Sequence, residues 1–451
     1  MRFQERNLSR SEDRKRFWED VLVRVTVLKN ADLLTMNDGP VTKHGDLWIS
    51  DGRIQKIDLY ENGVAGSGAG KFQPDETPEI IDCTGCVIMP GLIDSHVHYD
   101  QSYMGDFFLA SGITSVRSMR GFEGHARWRD EILAGKRRGP YIYSTGPVYD
   151  GDDPTIPDND NVIIHTEEDV EEAIRYTKSH GFLWMKTYPS IEPELYLYLM
   201  RRCRQEGLPV CGHMTKKMDD RILADEGYFC CEHTSSLPSD PETIRYLAES
   251  GMWFCPTHVV CETLPDYVWN GKQLKDLPHY MDLPECVRTH WEESNQVIIA
   301  NYRELNVHPD FQTIIDRGKT FLKYSNNVMA GTDCPYPGIV PGFAMADELE
   351  KLVDVYGMTP YEALCAATCS PARHMGIGEQ KGRIMVGMDS DLVVLGGNPL
   401  ENVGNVRRIK WVFQGTRFWS DEALQQLLAA DGEIKKEEIE YILGADGRPL
   451  G

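Results

Sequence analysis

The stretch Pro90–His98, PGLIDSHVH, runs from a Pro-Gly turn through an apolar strand to two histidines. Side chains at i and i+2 share one face of a strand, so His96 and His98 project the same way. Two imidazoles on one face are a short route to two nitrogen ligands for a single ion. An isolated H-x-H is a weak signal, because a polar residue commonly ends a strand. What gives it weight is the chain downstream.

Seven further apolar runs follow: GITSVRSM (112–119), PYIYSTGP (140–147), FLWMKTY (182–188), LPVCGHM (208–214), YFCCEHT (228–234), MWFCPTH (252–258) and NVMAGTD (327–333). Helical patterns such as EEDVEEAIRYTKSH (167–180) and PELYLYLMRRCRQEG (193–207) separate many of them. Eight strands alternating with helices predict a parallel sheet, and eight strands close a (β/α)8 barrel. The roughly seventy residues between the last two runs hold Tyr267, Trp269 and Tyr280. They predict either a partial cover over a site or ordinary helices packed outside.

Several of these runs end on a polar, ligand-type residue. His96 and His98 close the first, Lys186 closes FLWMK, His213 closes LPVCGH, His233 closes YFCCEH and Asp333 closes VMAGTD. Barrel enzymes place their chemistry at the carboxyl ends of the strands. Six such residues on five strands predict a metal centre, where any one alone reads as a polar loop residue.

The chain ends have a different texture. VRVTVLKNADLLT, GDLWISDGRIQKID and EIIDCTGCVIM predict strands, with Asp51-Gly52 as a hairpin turn, and KGRIMVGMDSDLVVLGGNPLENVGNVRRIKWVFQGTRFW repeats the pattern near the other end. The expected division is an N-terminal arm over 1–20, a composite β-domain from 21–88 and 377–420, a barrel over 89–376, and a tail over 421–451. Of the 451 residues, 47 are basic and 70 acidic, for a formal charge of −23. That surface repels phosphate backbones, so nucleic acid is not an expected partner. No apolar run reaches the roughly 18 residues of a membrane helix, so no membrane partner is expected either. The twelve cysteines, with no export signal ahead of them, read as reduced thiols of a cytoplasmic protein. Cys83 and Cys86 have C-x-x-C spacing, but no second pair follows, and the segment reads as turn then buried strand.

PGLIDSHVH, GHM, EHT, GTD and the segment KGRIMVGMDSDLVVLGGNPLENV together resemble the amidohydrolase superfamily, in its imidazolonepropionase-like and metal-dependent dipeptidase-like branch. The resemblance covers about Val21 to Phe418. It implies a distorted TIM barrel with a small β-sandwich-like domain formed by both chain ends. By motif, His96, His98, His213 and His233 are implied as imidazole ligands, and Asp333 as both a ligand and the carboxylate that shuttles a proton. GFLWMKTYPSIEPE resembles the branch's lysine-bearing strand, which implies a carboxylated Lys186 bridging two divalent ions. Histidine-rich mixed ligation suits zinc. A one-metal site with an unmodified Lys186 is the alternative. The resemblance also implies a homo-oligomer. Relatives often carry an aspartate where this chain has Ser118, and a histidine where it has Ala346.

These groups imply hydrolysis. Metal lowers the pKa of bound water from 15.7 to about 7, so a metal-bound hydroxide can attack a carbonyl near neutral pH. Asp333 is expected to take the proton and return it to the departing amine, general base turned general acid. Tyr188, two residues past Lys186, is expected to donate to the developing oxyanion, with a packing role as the alternative. Arg117 and Arg120 are candidates to grip a substrate carboxylate, and His258 to line the pocket; salt bridging and structural hydrogen bonding are the plainer readings. The expected activity is hydrolysis of an amide C–N bond in a small N-acyl amino acid, dipeptide-like compound or cyclic amide. A lactonase or heterocycle deaminase using the same cage is the alternative, and a non-catalytic scaffold the remote one.

Overall fold

The computed structural model describes residues 25–61, 64–65, 72–74, 77–153, 161–305 and 310–431. The arm expected over 1–20, much of the polar loop after Glu61 and the tail beyond 431 lie outside the described residues.

The chain starts with β1 (Thr26–Leu33), β2 (Lys43–Ser50), β3 (Arg53–Glu61), β4 (Val64–Ala65), β5 (Glu79–Asp82) and β6 (Val87–Pro90). The β2–β3 hairpin turns at Asp51 and Gly52, both at positive φ (52° and 70°). That is the conformation for which an Asp-Gly pair is selected. On its other side β1 pairs first with β5 and then with β6, while its ladder with β2 shifts register between Leu28 and Ala31. The barrel strands follow: β7 (Leu92–Val97), β8 (Ile113–Ser118), β9 (Tyr141–Asp150), the short β10 (Val162–Ile163), β11 (Trp184–Thr187), β12 (Val210–Gly212), β13 (Cys230–Glu232) and β14 (Trp253–Cys255). Late in the chain, β15 (Leu392–Leu395), β16 (Ile409–Gln414) and β17 (Arg417–Ser420) return to the first sheet. The two ends thus make one continuous mixed sheet, ordered β17-β16-β15-β6-β1-β2-β3-β4. Its buried face is built from Leu28, Ile49, Ile54, Ile88, Leu392, Val394 and Phe413.

One apolar run in the sequence, Val87 to Val97, is two strands in two sheets. Gly91 is the pivot. Its N–H donates to Asp391 O, and a Cβ there would sit 2.3 Å from Thr114 Oγ1, so only glycine fits the passage.

Parallel pairing runs β7-β8-β9-β11-β12-β13-β14. The eighth position is filled by Val328–Cys334, which lacks regular strand geometry yet joins both edges. Phe254 N donates to Asn327 O and Met329 N to Phe254 O, while Ser95 N donates to Ala330 O and His98 N to Cys334 O. Two features interrupt it. Ala330 N–H turns away to Ala366 O, and Asp333 adopts φ 61°. The barrel closes on an irregular segment that carries Asp333, one of the candidate site residues.

Helices cover the outside in the expected way. Helix Pro193–Gln205 buries Tyr196, Leu199, Met200 and Cys203, an i, i+3, i+4, i+7 stripe. Helix Glu167–Ser179 begins at a capping box in which Thr166 and Asp169 satisfy each other's backbone N–H. In the long connection after β14, Tyr267 and Tyr280 pack into the core with Phe107 and Phe108, and Trp269 is partly exposed. The two tyrosines act as packing. Cys83 is buried and unpaired, its thiol pushed up to about 12 by burial, as a structural cysteine would be. Among the described residues no helix is long and apolar enough to cross a membrane.

Candidate active site

His96 and His98 leave the end of β7 on the same side, with ring centroids 5.7 Å apart. Asp333 comes to them from the closing segment: its Oδ1 lies 3.3 Å from His96 Nε2 and 3.1 Å from His98 Nε2. His233, just past β13, brings its ring to 4.7 Å from His96 and 4.5 Å from His213. Its Nδ1 lies 3.8 Å from Asp333 Oδ2. Lys186 on β11 is completely buried, and Tyr188 packs edge-on against His213 with centroids 4.6 Å apart. Six of the residues singled out in the sequence therefore converge on one end of the barrel, with Tyr188 beside them.

Two backbone distortions make this possible. A regular strand alternates its side chains, so Glu232 and His233 ought to face opposite ways. His233 instead takes φ 69°, and both side chains reach the site. Asp333 is bent in the same sense. Left-handed backbone at non-glycine residues costs about 1–3 kcal/mol each and clusters at functional sites.

The protonation states suit cation binding. Burial lowers the imidazolium pKa of His98 to about 4 and of His233 to about 3, and that of His213 well below its ordinary value. Each imidazole therefore keeps a lone pair at neutral pH. Burial also resists ionisation of Asp333, but the neighbouring His96 and His233 outweigh it and hold the carboxyl well below its usual range. Lys186 is lowered chiefly by burial, against the pull of Glu232, Cys211 and Asp333. The amine is biased toward its neutral, nucleophilic form. Tyr188 is pushed up to about 12 by burial and keeps its proton.

Two buried atoms test whether this set fits a metal. His96 Nε2 and Lys186 Nζ have no hydrogen-bond partner. His96 Nδ1 donates to Glu232 Oε2 (2.8 Å), which turns its Nε2 toward the Asp333 carboxylate. Two electron-rich atoms that close, out of water, call for a cation between them. His96, His233 and Asp333 offer ligand atoms within 4.8 Å of one another. The donor set fits a divalent metal. His96, Glu232 and Cys255 form a second such cluster, but Glu232 is held by His96 and Arg117, and burial keeps the Cys255 thiol protonated.

The sequence model of the Amidohydrolase family matches residues 87–421. The chain belongs to the amidohydrolase family. It is 23% identical over 444 residues to the ochratoxinase of Aspergillus niger, covering 84% of this chain and 83% of that one. With the imidazolonepropionase of Thermoplasma acidophilum it shares 24% over 397 residues, 80% and 89% of the two chains. The solved structure of a bottromycin amidohydrolase superposes with a TM-score of 0.70 at 21% identity, over 91% of each chain. These relatives agree with a distorted TIM barrel, and the family makes this a hydrolase of C–N bonds that uses divalent metal.

Within this amidohydrolase, two sequence candidates fall differently from expectation. Arg117 has no exposed surface. Its Nε donates to Ser95 O (2.6 Å), Nη1 to His374 Nε2 (2.8 Å) and Nη2 to Glu232 Oε1 (2.5 Å). A guanidinium so enclosed has no free edge for a substrate carboxylate; it holds the glutamate that orients His96. His258 is likewise committed. It starts helix His258–Val268, with Nε2 2.9 Å from Glu262 Oε1 and Nδ1 3.2 Å from the Tyr356 hydroxyl, almost wholly buried. It braces two helices instead of lining the mouth. Arg120 stays at the site: its charge acts on His98, Asp100 and Tyr188. Sequence reasoning missed Glu232 and Asp94. Asp94 is fully buried and accepts from Thr332 Oγ1 (2.7 Å), Thr332 N (3.0 Å) and His96 N (3.3 Å), stitching β7 to the closing segment. An acid beside two of the ligand-type histidines (Asp94 two before His96, Glu232 one before His233) was the available signal.

Proposed function

We propose that the protein hydrolyses an amide C–N bond in a small N-acyl amino acid, dipeptide-like compound or cyclic amide. The observation that carries this reading is the cage itself: four histidines, an ionised aspartate and a neutral-leaning lysine, with two buried donor atoms left unpartnered. His96, His98, His213, His233 and Asp333 would hold divalent metal, zinc by ligand chemistry. Lys186, once carboxylated, would add oxygen ligands and allow two ions. Bound metal supplies an activated water at neutral pH and polarises the scissile carbonyl.

The chain's own groups do the rest. Asp333, ionised among imidazoles, accepts the proton of the attacking water at its carboxylate and delivers it to the amine nitrogen as the bond breaks. Tyr188, protonated and beside His213, donates to the oxygen on which negative charge develops. Arg120 supplies positive charge at the same mouth and suits a substrate carboxylate. The amides fit better than lactones, because a leaving amine needs the proton that Asp333 holds, whereas an alkoxide does not need it as strongly. The protein is read as a cytoplasmic homo-oligomer acting on a small molecule, with a composite β-domain (21–88 and 377–420) set against the barrel (89–376).

The test is a panel of N-acyl amino acids, dipeptides, cyclic amides, lactones and aminated heterocycles, run with metal analysis. Amide turnover is expected, with His96→Ala and His213→Ala losing metal and turnover together. Turnover retained by folded, metal-free variants would overturn the reading.

A further inference from the structure

At the opposite end of the barrel, where the strands start, lies a cavity of about 580 Å³. Two cysteines, Cys365 and Cys369, line it and are both partly exposed. They bracket the break between helices Pro360–Ala366 and Cys369–His374, and Cys369 Sγ lies 3.9 Å from Cys365 O. Tyr361, also on the wall, hydrogen-bonds Cys365, and the Cys365 and Cys369 thiols are hydrogen-bonded neighbours. Lys319, Lys323 and Arg373 line the same cavity, against one acid, Glu362, whose carboxylate already accepts from Thr359 N and Oγ1. In a chain of formal charge −23, a lining this basic selects for anions.

We propose that this cavity is a thiol-exchange site, at which Cys369, backed by Cys365, reacts with an anionic low-molecular-weight disulfide. Cys369 gives its proton to solvent, and its thiolate attacks one sulfur of the small disulfide. A new Cys369–sulfur bond forms, the old S–S bond breaks, and the other half leaves as a thiolate that takes a proton from water. Cys369 is oxidised and the departing half reduced. Attack by Cys365 on the same Cys369 sulfur would expel the second half and leave an internal disulfide, the same reaction carried one step on.

Chemistry and electrostatics support the choice of Cys369. The hydrogen bond from Cys365 outweighs burial, and Arg383 and Arg373 add to it, so the Cys369 thiol is lowered. Burial raises Cys83, Cys203, Cys211 and Cys261 instead. A thiol whose pKa lies near ambient pH attacks fastest, because the gain in thiolate exceeds the loss in nucleophilicity.

The experiment treats the full chain with oxidised glutathione and, separately, with cystamine, the same chemistry with opposite charge, and follows intact mass and mapped peptides over time. The expected result is one adduct, or its Cys365–Cys369 product, at Cys369, formed severalfold faster with oxidised glutathione at low salt. Raising salt should shrink that preference. Lys319→Glu with Lys323→Glu should reverse it. The proposal fails if Cys369 stays reduced while other cysteines react, if adducts spread at like rates, or if cystamine reacts as fast. The wild-type map alone decides this, whether or not Cys369→Ser folds.

Discussion

Glu232 does two jobs with one carboxylate: Oε2 accepts from His96 and Oε1 from Arg117, all three side chains without exposed surface. The chain continues from Arg117 to His374, which is packed among Trp184, Phe229 and Trp253. Removing the carboxylate leaves the guanidinium buried without its countercharge. Glu232→Ala should cost about 3–5 kcal/mol of stability, read from the denaturant midpoint. Glu232→Gln keeps one acceptor and the shape, so it should fold better yet weaken metal affinity by roughly 10–100-fold, measured by competition with a chelator. Lys186→Ala should lose turnover that bicarbonate or a short carboxylic acid partly restores, since either can replace the oxygen ligands of a carbamate. At this scale the ligand-type residues were legible because each ends an apolar run. The residues that hold them were not. Nothing in SVRSM shows that Arg117 points at a glutamate 115 positions away, and the same residue types read equally well as substrate contacts.

At the scale of elements, the closing segment is the least regular and the most constrained. A Cβ on Gly331 would stand 2.6 Å from Cys255 Sγ, 2.7 Å from His96 Cβ and 2.8 Å from His96 N. Gly331→Ala must therefore push β7 or β14 aside, costing about 1–3 kcal/mol and loosening metal. Thermal unfolding with and without added zinc would check both. Helices His258–Val268 and Ala344–Asp354 are joined by Glu348, whose carboxylate accepts from His258 N and Val259 N while fully buried. Burial raises its pKa from the 4.5 of an ordinary glutamate to about 7. Between those values the folded chain binds a proton that the unfolded chain has lost. Stability from this group is therefore present below about pH 4.5 and falls as pH rises to about 7, with a limiting slope of about 1.4 kcal/mol per pH unit. Glu348→Gln should remove that slope, so variant and wild type should diverge in its favour between about pH 5 and pH 8 in urea titrations. The seven regular strands were legible from their apolar runs, and the β2–β3 hairpin from Asp51-Gly52. The positive φ at His233 and Asp333 was not, because sequence periodicity carries no sign of strain in a non-glycine residue.

Over the whole molecule, the end sheet and the barrel share material. Gln414 on β16 donates to Thr114 O and Gly139 O in the barrel, and Arg417 Nη1 donates to Arg137 O. Val393, Leu395, Ile409, Val412 and Trp419 lie in the same core as Phe107, Phe108 and Ile113. Calorimetry should accordingly show one cooperative transition for sheet and barrel; two well-separated transitions would contradict the shared core. That the two chain ends meet was legible from their common texture. The run Val87–Val97 passes from one sheet to the other at Gly91, within the Pro-Gly turn that the sequence itself marks. The account turns on whether divalent metal occupies the cage at the strand ends. Anomalous diffraction at the zinc edge from crystals of metal-loaded protein tests this most directly. The prediction is two peaks among His96, His98, His213, His233 and Asp333, with continuous density from Lys186 Nζ toward both; a cage without a peak, in protein that turns over an amide, would contradict it.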